Sequence, residues 1–268
     1  CKILLLDLAR VHMSRVFTIT NQKGGVGKTT TTINLASSLK HRGFKVLVID
    51  MDPQGNLSFC VNADTVLSAT IYEVLKGEVK MQYAIQRTNI VDTVAANILL
   101  SGIELEYTKA GREYLLKQAI ATIKDHYDVI LIDTPPGLGI LTINAMTASE
   151  GIIIPMVADI FSLQGITQLY ETVLQVRKFS NPDLVIEGVL LNKYNPRIHL
   201  NKEVKGAAEL VLNDLKVKLF KTNIRVSINV AEAQSAQKDL VTNYKNSGAA
   251  LDYIKFSKEL IKGDNDVK

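Results

Sequence analysis

Gln22-Lys23-Gly24-Gly25-Val26-Gly27-Lys28-Thr29-Thr30 stands between a short apolar run, Arg15 to Thr20 (RVFTIT), and a helical pattern from about Gly27 to His41 that Gly43 stops. A strand, a glycine-rich turn and a helix in that order form a cradle for phosphate. Glycines let backbone N–H groups turn inward, and the amino terminus of a helix favours an anion. Lys28 is then placed to reach the β and γ phosphates and Thr29 to offer its hydroxyl to Mg2+, with Gly24, Gly25, Val26, Gly27 and Thr30 around the same phosphates. The strict pattern GxxxxGK[ST] asks for Gly where this chain has Gln22, so the letter of the motif fails while its mechanics survive.

Working outward, Lys45 to Asp50 (KVLVID) closes a βαβ unit, and buried-strand candidates follow at 128–133 (DVILID), 151–157 (GIIIPMV), 185–192 (VIEGVLLN) and 217–220 (VKLF). Their apolarity is continuous rather than alternating, which predicts strands covered on both faces and so a parallel sheet. Helical patterns alternate with them at about 71–76, 111–125, 142–148, 163–179, 201–214 and 246–262. The expected fold class is α/β, a single doubly wound, mostly parallel sheet with helices on both faces. Residues 1–13 read as an N-terminal extension of no assigned role, 14–262 as one P-loop domain and 263–268 as a C-terminal tail.

The 268 residues are 47% hydrophobic and 22% charged, which excludes a fibrous repeat or a disordered chain. No apolar stretch approaches the ~18 residues of a membrane span. Cys1 and Cys60 lie far apart, and His12, His41, His126 and His199 show no ligand spacing, which argues against a disulfide scaffold or a zinc site within one chain. The net charge is +4, and its excess sits late: between Lys193 and Arg225 there are eight basic residues against three acidic ones.

Acids end two of the strands. VLVID finishes at Asp50, with Asp52 two residues on, and VILID finishes at Asp133 before Thr134-Pro135-Pro136-Gly137. Carboxylates at the carboxyl ends of parallel strands face the crevice where such sheets bind ligands, so Asp133 reads as the acid that holds Mg2+.

With Lys23 as a second lysine at the loop entrance, KGGVGKTT resembles the deviant Walker A motif of the ParA/MinD superfamily of ATPases, and the resemblance covers about residues 14–262. It implies the P-loop NTPase fold, ATP and Mg2+ as cofactors, weak intrinsic hydrolysis of ATP to ADP and phosphate, and a sandwich homodimer formed on ATP binding. It also implies that Lys23 crosses that dimer to the other subunit's phosphates, like an arginine finger supplied in trans. Asp52 resembles the switch I acid that orients or deprotonates the attacking water, and Asp50 would support the metal and its water shell. Leu191-Asn192-Lys193-Tyr194-Asn195 looks superficially like the NKxD guanine reader, but Asn195 stands where a carboxylate must accept guanine's two N–H groups. The resemblance assigns Asn192 to adenine instead.

TNQKGGVGKTT together with DMDPQGN is closer to the Soj-like and small plasmid ParA branch than to MinD. That branch implies plasmid or chromosome partition: the ATP-bound dimer holds nonspecific DNA, and hydrolysis stimulated by a ParB-like adaptor releases it. The expected location is the cytoplasm, on the nucleoid when ATP is bound. The alternatives are a ParA-like ATPase that positions a protein cargo and a MinD-like membrane-cycling regulator of cell division. Against the latter, Leu251, Ile254, Leu260 and Ile261 near the end read as a core face rather than a membrane-binding one, so no membrane partner is expected. The nitrogenase iron protein would need two cysteines downstream of the switches, which are missing. Some twenty residues precede Lys23, so no operator-binding domain is expected. Relatives bind DNA through basic residues late in the chain, which makes Arg197, Lys216, Lys218, Lys221 and Arg225 the candidates here. The family's IPRNVRLSEAP appears as Ile224 to Gln234 without its prolines, with Arg225 placed differently.

Overall fold

Among the described residues, seven strands make one sheet: β1 (Arg15–Ile19), β2 (Val46–Asp50), β3 (Ile85–Arg87), β4 (Asp92–Val94), β5 (Val129–Asp133), β6 (Gly151–Val157) and β7 (Val185–Asn192). Their spatial order is β3-β4-β2-β5-β1-β6-β7, parallel throughout except for the antiparallel β3–β4 pair at one edge. This computed structural model describes residues 14–106 and 110–261, so the extension at 1–13 and the tail at 263–268 lie outside the described residues.

Alternate residues of each central strand enter opposite layers, which is why their sequences run continuously apolar. In β5, Val129 and Leu131 join one core with Leu35, Leu39, Tyr253 and Phe256, while Ile130 and Ile132 join a second with Ile71, Leu116 and Ala145. A third cluster continues that second layer over β6 and β7, where Ile152, Ile154 and Leu191 meet Leu169, Val173 and Ala208.

The helices supplying these layers are, in chain order, α1 (Lys28–His41), α2 (Asn56–Cys60), α3 (Ile71–Leu75), α4 (Met81–Ala84), α5 (Ile103–Glu106), α6 (Leu115–Ala121), α7 (Ile140–Ala148), α8 (Ile160–Phe179), α9 (His199–Asp214), α10 (Ile228–Ser235), α11 (Leu240–Asn243) and α12 (Gly248–Leu260). Helix α1 begins after Gly27 in the left-handed region and stops where Gly43, at φ +93, donates its N–H to the Lys40 carbonyl.

Three expectations are corrected, and two strands are added. The pattern at 111–125 is not one helix, because α6 is flanked by short 3-10 turns at Arg112–Tyr114 and Lys124–His126. VKLF is not a strand: Leu219 makes one isolated bridge to Val189, and the segment next bonds to β7 where the Ile224 N–H donates to the Leu191 carbonyl. Between those two points the polar residues Lys221, Thr222 and Asn223 interrupt the apolar run, and the ladder breaks there. Strands β3 and β4 escaped notice because three residues carry too little periodicity to read. The last helix packs on the core with Leu260 and Ile261 of the expected set buried beside Ala249, Ala250, Tyr253 and Phe256, but Leu251 is 54% exposed.

Candidate active site

The carboxyl ends of β1, β2 and β5 converge on the turn Gln22–Gly27. Gly25 and Gly27 adopt φ of +73 and +92, and a Cβ on Gly27 would run into the Asn192 amide. Substitution there is strained twice over, so Gly27→Ala is expected to lose about 1–3 kcal/mol of stability, read by urea unfolding. Gln22, the residue that breaks the strict motif, has a task of its own: its amide donates to Gln168 Oε1 at 2.6 Å and to the Gly165 carbonyl at 3.2 Å, tying the turn to α8.

A cavity of about 480 Å3 opens above the turn, and Gly24, Gly25, Gly27, Lys28, Thr29, Thr30 and Asp52 line it. Val26 is buried behind it and offers its carbonyl to Asn192 Nδ2 at 3.1 Å. Lys28 is 7% exposed, and its ammonium donates to the Lys23 carbonyl at 3.2 Å. Burial lowers the Lys28 pKa, against the raising effect of the Asp133 and Asp52 charges. An anion in the cavity would favour the charged form again.

Asp133 and Asp50 are register partners on β5 and β2, and both are fully buried. Burial, followed by the neighbouring Asp50 charge, pushes the Asp133 carboxyl up to about 8, against the pull of Thr29 and Lys28. The Thr29 hydroxyl donates to Asp133 Oδ2 at 2.6 Å, so two hard oxygen donors sit together at the floor of the phosphate cradle. That set fits a small divalent cation, which needs few protein ligands beside phosphate oxygens and water. No group of three or more His, Cys, Asp or Glu that could hold a metal exists among the described residues.

Asp50 does not reach the cavity. Its Oδ2 accepts from the Ser58 N–H at 3.0 Å and hydroxyl at 2.7 Å, and its Oδ1 accepts from the Asp52 N–H at 3.0 Å. These bonds hold the 51–58 turn in place. Asp52, 7% exposed, accepts from Gln54 N–H at 3.0 Å and presents itself to the same cavity as Lys28. The Lys23 carbonyl accepts from Lys28, while the Lys23 ammonium lies 2.6 Å from Asp159 Oδ2 at the start of α8.

Beside the phosphate cavity lies a second one of about 230 Å3, lined by Asn192, Lys193, Tyr253, Gln234 and the segment from Ile224 to Ser227. The Asn192 amide is 3% exposed and also donates to Thr31 Oγ1 at 3.2 Å, so it staples β7 to the P-loop helix. Asn195 lines neither cavity; its Oδ1 accepts from Arg197 N–H at 3.0 Å and shapes the following turn. Gln234, whose amide donates to Thr30 Oγ1 at 3.1 Å, was missed by the sequence, because the weak pattern of α10 gave no reason to bring it 204 residues back to the turn.

The basic candidates divide. Arg197 and Arg225 share a cavity of about 640 Å3 with Lys205, a member of the basic run not singled out beforehand. Arg225 is committed to a bidentate pair with Asp252, at 2.7 and 2.8 Å. Together with Val226 it also lines the 230 Å3 cavity, so these two residues form a wall common to both. Lys216, Lys218 and Lys221 lie elsewhere, along the segment beside β7; Lys218 sits 3.7 Å from Glu259, whose Oε1 accepts the Lys221 N–H.

Over residues 14–186 the chain matches the family described as AAA domain. It is 38% identical over 252 residues to the sporulation initiation inhibitor protein Soj of Bacillus subtilis, spanning 92% of this chain and 98% of that protein. It is also 38% identical over 258 residues to the chromosome partitioning protein ParA of Caulobacter vibrioides, spanning 94% and 96%. Among solved structures it is similar to cobyrinic acid a,c-diamide synthase from Mycobacterium smegmatis with bound ADP and magnesium, with a TM-score of 0.81, 33% identity, and coverage of 92% of this chain and 93% of that one.

Proposed function

The chain belongs to the ParA/Soj-type ATPases of the deviant Walker A superfamily, and from that premise we propose that it is an ATP-dependent partition ATPase for plasmid or chromosomal DNA. One observation carries the reading: Lys28, Thr29 and Asp52 surround a single cavity, with Asp133 bonded to Thr29 beneath it. ATP and Mg2+ are the cofactors, in keeping with the ADP and magnesium of the solved relative.

Lys28 and the turn N–H groups hold the phosphates, and Thr29 with Asp133 would hold the cation. Bound there, Mg2+ would supply neutralisation of charge on the phosphates. Asp52 orients the attacking water and accepts its proton. Lys23 completes the site of a second subunit. To do so its ammonium must leave Asp159, so dimer formation exchanges an internal ion pair for a phosphate contact, and charge stabilisation at the transferring group is where such a site gains most of its rate.

On this reading the dimer presents two copies of the cavity holding Arg197, Lys205 and Arg225 to nonspecific DNA, and a ParB-like adaptor stimulates hydrolysis and release. The protein then resides in the cytoplasm and on the nucleoid while ATP is bound. The test is a DNA-binding titration against salt, with ATP and Mg2+ and with ADP. ATP-bound protein is expected to bind unrelated duplexes alike, with log affinity falling by about 0.9 per neutralised phosphate for each unit of log salt. Arg197→Glu should lower affinity on every sequence and flatten that slope without changing ATP-driven dimerisation. Equal binding with ATP and ADP would sink the proposal.

A further inference from the structure

A cavity of about 680 Å3 opens at the end of the sheet opposite the phosphate cradle. Lys45 and Val46 on its wall lead into β2, Asp92 begins β4, and Tyr127 stands just before β5, whereas the cradle lies beyond the carboxyl ends of these strands. Lys40, also on the wall, sits in the last turn of α1, the helix that begins at Lys28. The cavity shares no lining residue with the phosphate cavity or with the one holding Arg197.

Its interior is apolar. Phe44 comes from the core layer that holds Leu35 and Phe256, while Ile85, Ile123 and Tyr127 come from the layer on the other face of the sheet. Its charge is one-sided, with Lys40, Lys45, Arg87 and His126 set against the single acid Asp92. That acid is already engaged: Asp92 Oδ2 accepts from the Tyr127 hydroxyl at 3.0 Å, and Arg87 is its register partner across β3 and β4. The Lys40 ammonium donates to the Ile90 carbonyl at 2.6 Å, a neutral partner that leaves its charge uncompensated. The side chains of Lys45, Arg87 and His126 pair with no acid among the described residues. Nor does the negative pole of α1 offset them, because the N–H groups of Arg42, Gly43 and Phe44 cap its last carbonyls.

We propose that this cavity binds a small organic anion: an apolar or aromatic body seated among Phe44, Ile85, Ile123 and Tyr127, with a carboxylate, sulfonate or phosphate facing Lys40, Lys45 and Arg87. Clefts that join low-dielectric walls to charge of one sign concentrate counter-ions. The volume lies within the range of roughly 300–1,000 Å3 in which pockets enclose a small molecule rather than a length of peptide. The site stands whether or not the phosphate cavity holds ATP, since the two have no residue in common.

Two fluorescent probes test it on the full chain with ADP and Mg2+ present: 8-anilinonaphthalene-1-sulfonate, and N-phenyl-1-naphthylamine, which has the same rings without the sulfonate. The sulfonate is expected to bind one per chain, and the neutral probe about tenfold more weakly, the scale of hydrogen bonds to a charged group. Lys45→Gln combined with Arg87→Gln should weaken the sulfonate by about tenfold and leave the neutral probe unchanged. Both side chains are exposed, so the thermal midpoint should hold. Lys45→Arg, which keeps the charge, and Arg197→Glu, in the other basic cavity, should both bind the sulfonate like the parent. Parent-like binding in the double variant, or a matching loss for the neutral probe, would overturn the proposal. So would an equal loss in Arg197→Glu, and displacement of the sulfonate by hexaglutamate at comparable affinity would assign the cavity to an acidic protein segment instead.

Discussion

Lys28→Ala should abolish measurable ATP binding. The ammonium is almost entirely buried, and burial already disfavours its charge, so a phosphate chain is the partner that makes that charge favourable. Truncating one member of a buried charge pair costs about 2–5 kcal/mol, a factor of roughly 30 to 5,000 in dissociation constant. Lys23→Ala should behave differently. Its ammonium is held 2.6 Å from Asp159 and away from its own cradle, so binding should persist while ATP-driven dimerisation or turnover is lost. Calorimetry and sedimentation on the two variants separate these outcomes, and a Lys23→Ala protein that dimerises and turns over normally would end the trans-acting role.

The second large effect belongs to Asp52. Asp52→Ala should bind ATP as the parent does, yet hydrolyse it slower by about 10^2 to 10^4, the range set by loss of a positioned general base. The backbone of the turn is held from the other side, by Asp50 and Ser58, so the substitution removes the carboxylate without releasing the segment that carries it. Single-turnover phosphate release beside nucleotide affinity makes the check, with an accumulating ATP-bound dimer as the accompanying sign. Wild-type release rates would remove Asp52 from the reaction.

What the sequence made legible was what chemistry writes locally. The cradle spans nine consecutive residues, and Asp133 ends a strand whose five residues are all buried. Geometry carried by distant partners was not legible. Nothing near Asp50 in the sequence says that Ser58 will consume its second oxygen, and nothing near Lys23 points to Asp159, 136 residues away. The same holds for the departure at Gln22: read alone it is a defect in the motif, while in the fold it is a brace to α8. For the late basic run, composition and resemblance could not separate Arg197, at a cavity, from Lys218, beside Glu259.

The partition shared by Arg225 and Val226 has a thermodynamic consequence. If a nucleotide fills one side and a polyanion the other, neither can shift that partition without altering the fit of the second ligand. Linkage makes such coupling mutual: whatever factor ATP adds to the hold on DNA, DNA adds to the hold on ATP. Nucleotide exchange would then run slower on the nucleoid than in free solution, and a substitution chosen to retune one affinity would detune the other.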